Sequence, residues 1–316
     1  MNYISSLLDG KVLNILLHFY KRLKETPLLL GYIIVGLAVT FGIRGFQGFA
    51  VALKNLLLLL IWALIIRIMT EDSPAPVKVK NPKLELCVGF TFFVYNLIIA
   101  VLVHNYVKNA SFASKVHSFG EFMRDIFLFY NLNYKTATVI SGNLMNAIIV
   151  TILITIPMIL IYVLMGYKFR GMGFNRGHWK LTFVLIALSV LLGIYEGLYK
   201  KADYKLLIVV YFIHIFINGL PEELFYRGFL LSRLEAVLNN SLNALVISSI
   251  LFSAGHIPSR VIQYNSSIWY ALLDVFSLEQ PTGLIWGYLY LRTRSIIPGM
   301  LWHASFTILG LIFLGL

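Results

Sequence analysis

Two adjacent carboxylates, Glu222 and Glu223, and an arginine, Arg227, stand in "NGLPEELFYRG" at residues 218–228, directly after the apolar run "LLIVVYFIHIF". Ionisable groups cost about 2.5–3.5 kcal/mol each at membrane depth on insertion scales, so they are functional candidates by default. On a helix Glu223 and Arg227 are i and i+4 and pair on one face. Glu222 points about 100° away and stays outside that pair. Pro221 suits a helix's first turn, where carboxylates meet the positive end of the dipole. The spacing therefore predicts a helix that begins near residue 221. The competing reading is that all three residues merely start a helix at the water interface.

Two histidines extend the set. After Glu222 the chain runs to "NNS" at 239–241, a turn signal, and returns through "LNALVISSILFSAGH". Legs of about 16 residues, ~24 Å at 1.5 Å per residue, predict an antiparallel hairpin that returns His256 to the level of Glu222. A carboxylate and an imidazole sharing one water are the minimal equipment for general-base hydrolysis. His303, in "IIPGMLWHASFTILG", is the third polar intruder, with Thr307 one turn on along the same face. Taken singly, each histidine reads more simply as a packed, hydrogen-bonded one; His214 reads that way too, with Asn218 and Tyr226 bordering the site. Glu222, His256 and His303 also make up a His₂Glu donor set of the kind catalytic zinc uses. The sequence has no HExxH, and a water held between Glu and His needs no ion. The expectation is thus no cofactor, with Zn²⁺ on those three residues as the alternative.

The elements that must position these residues are membrane helices. The chain has 316 residues, 59% hydrophobic and 13% charged, whereas a soluble domain keeps roughly 25% charged. This predicts an all-α, polytopic transmembrane bundle of eight to ten membrane helices. Spans are expected near 27–43, 46–68, 84–104, 137–166, 180–198, 205–219, 241–256, 268–291 and 296–315. An amphipathic interfacial helix is expected before them. "KNASFASKVHSFGEFMRD" reads as a polar connection, and "TEDSPAPVKVKNP" as a linker. Residues 1–179 thus form N-terminal membrane helices of unassigned function, and 180–316 the core carrying the chemistry. "GLIWG" offers Gly283 and Gly287 for close helix approach. The lone cysteine, Cys87, reads as inert and buried.

The net charge is +12. The basic residues sit between apolar runs, as beside anionic headgroups, with no basic stripe interleaved with aromatics, which argues for membrane lipids as partners and against nucleic acid. Lys21, Arg22 and Lys24, then Lys78, Lys80 and Lys83, then Lys168, Arg170, Arg176 and Lys180 fall on one side by simple alternation. That predicts a cytoplasmic N-terminus; Lys200, Lys201 and Lys205 fall on the other side.

The motifs also carry a resemblance. "EELFYRG" resembles the EExxxR motif of the CPBP family, the CAAX-type prenyl proteases and bacteriocin-processing or self-immunity (Abi) proteins. "FSAGH" resembles its FxxxH motif, and "GYLYLRTRSIIPGMLWHASFT" its final HxxxN motif. The resemblance covers roughly 180–316. It implies an intramembrane endopeptidase acting on a peptide or lipid-modified protein substrate. Glu222 would be the catalytic carboxylate, paired with His256 to activate water. Glu223 would be held by Arg227, and His303 would help stabilise the oxyanion. Thr307 stands where the family has asparagine; a hydroxyl differs from an amide in reach, and one oxyanion donor is worth ~10²–10³ in rate. The alternatives are a non-catalytic self-immunity or scaffold protein of the same fold and, further off, a transporter, for which no paired hydropathy halves are present.

Overall fold

The computed structural model describes residues 17, 20–21, 26–70, 74–108, 110–129, 132–175, 178–200, 203–263, 267–278 and 281–313. The expected N-terminal amphipathic helix lies outside them, two short stretches aside. Among the described residues every regular element is helical. In chain order the helices are α1 (Pro27–Met69), α2 (Pro82–Lys108), α3 (Ala110–Phe129), α4 (Tyr134–Leu164), α5 (Trp179–Lys200), α6 (Tyr204–Leu238), α7 (Ser241–Gly255), α8 (Ile257–Gln263), α9 (Ile268–Asp274), α10 (Thr282–Thr293) and α11 (Ile297–Phe313). Among the described residues five helices are long and apolar enough to cross a membrane: α1, α2, α4, α6 and the stretch Ser241–Ile262. The chain is an integral membrane protein with an all-α fold.

At 1.5 Å per residue α1 would be about 65 Å long, twice a bilayer's hydrocarbon core. Gly45 resolves this: its φ of +62° breaks the helix, a conformation that glycine adopts without Cβ strain. Tyr32 and Leu29 from before the break share one apolar cluster with Ala52 and Leu56 from after it. The element is a hairpin of two spans, as the hydropathy pattern predicted.

The chain divides into two compact units: Met1–Glu71 with Leu234–Tyr288, and Asp72–Arg233 with Leu289–Leu316. In the first, Thr40 and Asn55 of α1 bind the irregular backbone after α9. The Thr40 hydroxyl accepts from Leu278 N–H at 2.9 Å and Asn55 donates to Leu278 C=O at 3.4 Å, which is how non-helical backbone is satisfied away from water. The expected continuous helix over 268–291 is therefore wrong: α9 ends at Asp274 and α10 starts at Thr282. An apolar average conceals the break at "FSLEQP".

In the second unit, Ile140 and Ala147 of α4 pack with Leu206, Val210 and Ile213 of α6. Two basic loops meet there: Lys80 Nζ donates to the carbonyls of Met165 and Gly166 at 2.9 and 2.8 Å. Lys80 is thus bonded to the loop that leads into Lys168 and Arg170. Two expectations fail. The stretch read as a polar connection is helix α3, its polar residues lying on a helix rather than breaking one. Cys87 is exposed on α2.

Candidate active site

The acidic motif does not begin a helix. α6 runs unbroken from Tyr204 to Leu238, and Pro221 lies inside it. A proline there removes an N–H and crowds the carbonyl four residues back, at about 3 kcal/mol in an ordinary helix. The chain answers with a wide π turn at Ile215–Gly219, immediately before the proline, closed by the bond from Leu220 N–H to Ile215 C=O. A second π stretch, Glu223–Leu231, carries the rest of the motif. Such wide turns concentrate at functional sites. The expectation of carboxylates at their own helix's first turn is corrected: they sit mid-helix.

The two carboxylates have different surroundings. Glu223 is 0% exposed and Arg227 1%, and Arg227 Nη1 lies 3.3 Å from Glu223 Oε1. The i, i+4 pairing is as predicted, but it is buried, which disposes of the water-interface reading. The Glu222 side chain retains 22% exposure and lies outside this pair. His303 stands between the two acids: its Nδ1 is 3.3 Å from Glu223 Oε1 and its Nε2 is 3.7 Å from Glu222 Oε2. A carboxylate only accepts, so the Nδ1–H donates to Glu223, and Nε2 is the nitrogen that faces Glu222.

The positive helix end missing from α6 is supplied by α11. A Cβ added at Gly299, in the first turn of α11, would lie 2.6 Å from Glu223 Oε2. The buried carboxylate therefore rests against a helix N-terminus, which favours negative charge. A Cβ at Gly219 would lie 2.5 Å from the Met300 carbonyl oxygen, so α6 and α11 approach backbone to backbone where both carry site residues. Tyr211 donates to Leu301 C=O at 3.2 Å and Trp302 Nε1–H to Ser189 Oγ at 3.0 Å, holding α11 at the two residues before His303. The loop before α11 is also tied down, with Asn175 donating to Arg294 C=O at 2.7 Å. His214 is 8% exposed, and Asn218 and His303 are the polar groups that act on it. Thr307 lies in α11 one turn after His303; its side chain is outside the described set.

His256 belongs to the other unit. The predicted turn is present: Asn239 has φ +51° and Asn240 caps α7, accepting from Leu242 N–H and Asn243 N–H. His256 ends α7, as expected. Its Nδ1–H donates to Phe252 C=O at 2.9 Å, which fixes the tautomer and makes Nε2 the acceptor nitrogen. A Cβ at Gly283 would lie 3.1 Å from Ser249 Cα and 3.2 Å from Phe252 Cδ1, so this glycine lets α10 press on the turn of α7 that precedes His256. Among the described residues no three His, Cys, Asp or Glu side chains are gathered so as to hold a metal ion.

Sequence reasoning missed Glu85 and Arg233. Arg233 is fully buried and Glu85 is 3% exposed, with Arg233 Nη2 2.9 Å from Glu85 Oε2. They lie 148 residues apart, so no local spacing announces the pair.

Residues 204–309 match the family model described as type II CAAX prenyl endopeptidase Rce1-like. The resemblance read from the three motifs is borne out over that region, and residues 1–203 lie outside it. No curated protein and no solved structure matches the chain.

Proposed function

We propose that this chain is an intramembrane endopeptidase that hydrolyses a peptide bond in a membrane-associated, lipid-modified protein or peptide. The observation that carries the reading is the division of labour between adjacent carboxylates. Arg227 and His303 engage the buried Glu223, and Glu222 keeps exposure beside His303 Nε2. The family match adds the reaction class, and its description names a prenyl endopeptidase, so a prenylated C-terminal peptide is the substrate class to try first.

In this reading Glu222 takes a proton from water as the water oxygen attacks the scissile carbonyl carbon. His256, through Nε2, accepts the water's other hydrogen bond and orients it. The tetrahedral oxyanion accepts from the Nε2–H of His303, which then carries a hydrogen on both ring nitrogens, Nδ1–H remaining on Glu223. The proton held on Glu222 passes to the departing nitrogen as the C–N bond breaks, leaving a carboxylic acid and an amine. Every proton is held by Glu222, His256 or His303, and no step runs through a metal. Zinc on Glu222, His256 and His303 is the competing proposal.

The test is cleavage of a prenylated peptide by the full chain in lipid vesicles. Glu222→Ala and His256→Ala should each lower turnover by about 10²-fold or more, and a chelator should leave the wild-type rate unchanged. Unaltered cleavage in either variant removes the mechanism; loss on chelation with recovery on added zinc replaces it with the metal form. Thr307, in place of the family's asparagine, favours a second reading, a non-catalytic immunity or scaffold protein. Peptide binding or protection that survives Glu222→Gln would support that reading.

A further inference from the structure

Arg233 is heavily engaged, although it lies outside the motif. Its Nε donates to Glu85 Oε2 at 3.0 Å, and its Nη1 donates to Gly228 C=O at 3.1 Å and to Ser232 Oγ at 2.8 Å. The guanidinium lies over the Phe229 ring at 4.2 Å, the Tyr167 ring at 4.8 Å and the Tyr162 ring at 5.2 Å. Glu85 is held in turn: its carboxylate accepts from Tyr167 O–H at 2.8 Å and from Asn81 N–H at 2.9 Å. Here a buried charge pair has the extra hydrogen bonds that such pairs need to offset desolvation.

The network falls where the π stretch ends. Glu223–Leu231 is followed by ordinary helix from Ser232. Side chains bond the carbonyls at that junction: Gly228 C=O accepts from Arg233 Nη1 and from Ser232 Oγ, and Phe229 C=O accepts from Ser232 Oγ as well as from Ser232 N–H. A helix residue turns the chain by about 100°. Collapse of the wide turn to ordinary helix would therefore rotate Glu222 and Glu223 relative to everything beyond Ser232. It would disturb the contacts that Glu223 makes with Arg227 and His303.

We propose that Glu85 and Arg233 are positioning residues of the site. Together they pin the π-helical register of α6, so that α2, which lies outside the family match, is part of the working apparatus. The inference rests on the endopeptidase reading for its kinetic consequence, but not for its structural one.

The full chain in lipid vesicles tests both. Arg233→Lys keeps the charge and loses the fork that reaches Gly228; Glu85→Gln keeps the shape and loses the charge. Each should lower kcat per folded molecule at least tenfold, with KM within twofold. Hydrogen–deuterium exchange should rise across 224–233 and stay unchanged in α4. Should either variant fold poorly, the reversed pair, Glu85→Arg with Arg233→Glu, provides the discriminating case. It restores charge balance without the Gly228 bond, so folding should recover while kcat stays low. Recovery of both, or wild-type kcat and wild-type exchange in Arg233→Lys, overturns the proposal. If the wild type cleaves nothing, the endopeptidase reading fails alone, and the exchange across 224–233 still decides the register claim.

Discussion

Glu222 and Glu223 are neighbours in sequence with opposite circumstances, and each predicts a different loss. Glu223 is buried with Arg227 and takes the Nδ1–H of His303. Removing one partner of a buried pair leaves an uncompensated charge, which costs about 3–5 kcal/mol. Arg227→Met should therefore lower the thermal midpoint and the yield of folded protein. Glu222, half-buried and outside that pair, should behave oppositely. Glu222→Gln keeps the fold and loses the proton acceptor, a loss of roughly 10²–10⁴ in rate for a general base. Melting curves and initial rates on the same two preparations check this. A Glu222→Gln protein that melts early but turns over normally per folded molecule would reverse the assignment of roles. The contrast was legible in the sequence, because i, i+4 spacing pairs Glu223 with Arg227 and turns Glu222 away. The His303 bridge was not, since nothing in the spacing says that α11 crosses α6 at that point.

Helix packing decides whether those side chains meet, and two glycines set the distance. A Cβ at Gly219 would meet the Met300 carbonyl oxygen and one at Gly299 would meet Glu223 Oε2, at 2.5 and 2.6 Å. The first obstacle is backbone and has no rotamer to escape into. Gly219→Ala and Gly299→Ala should each cut turnover at least tenfold by forcing α11 off α6. Gly142→Ala, with nothing within 4 Å of its added Cβ, should stay within twofold. Rates normalised to folded protein decide it. Equal rates in all three would mean that the approach of α6 to α11 does not matter to the chemistry. The elements themselves were unevenly legible. The spans of α2, α4 and α7 follow hydropathy, and the turn at Asn239 and Asn240 follows residue type. Pro221 misled because a proline after an apolar run reads as a helix start. Only the π turn at Ile215–Gly219 lets the helix continue through it, and that widening leaves no mark in composition. The Glu85–Arg233 pair was hidden for another reason, its separation along the chain.

Across the whole molecule, topology and coupling are both open to measurement. Lys80 reaches the Met165 and Gly166 carbonyls, and Asn175 and Ser295 are bonded across the next loops. The loops carrying Lys78 and Arg170 adjoin, and the span expected over 180–198 would put Lys205 on the opposite side. With Cys87→Ser as background, a membrane-impermeant maleimide should label Lys78→Cys and Arg170→Cys from one side of sealed vesicles and Lys205→Cys from the other. The deeper question is whether residues from the two compact units serve one reaction. Groups that act together on a single water are strongly non-additive: once one is gone, losing the other costs little more. Independent groups instead add their losses. Residual cleavage by Glu222→Ala, by His256→Ala and by the double variant thus forms a cycle. If both act on one water, the double variant should be no slower than the worse single variant, within about threefold. Losses that multiply would show two separate contributions, and the proposed pairing of Glu222 with His256 would be abandoned even with both residues essential.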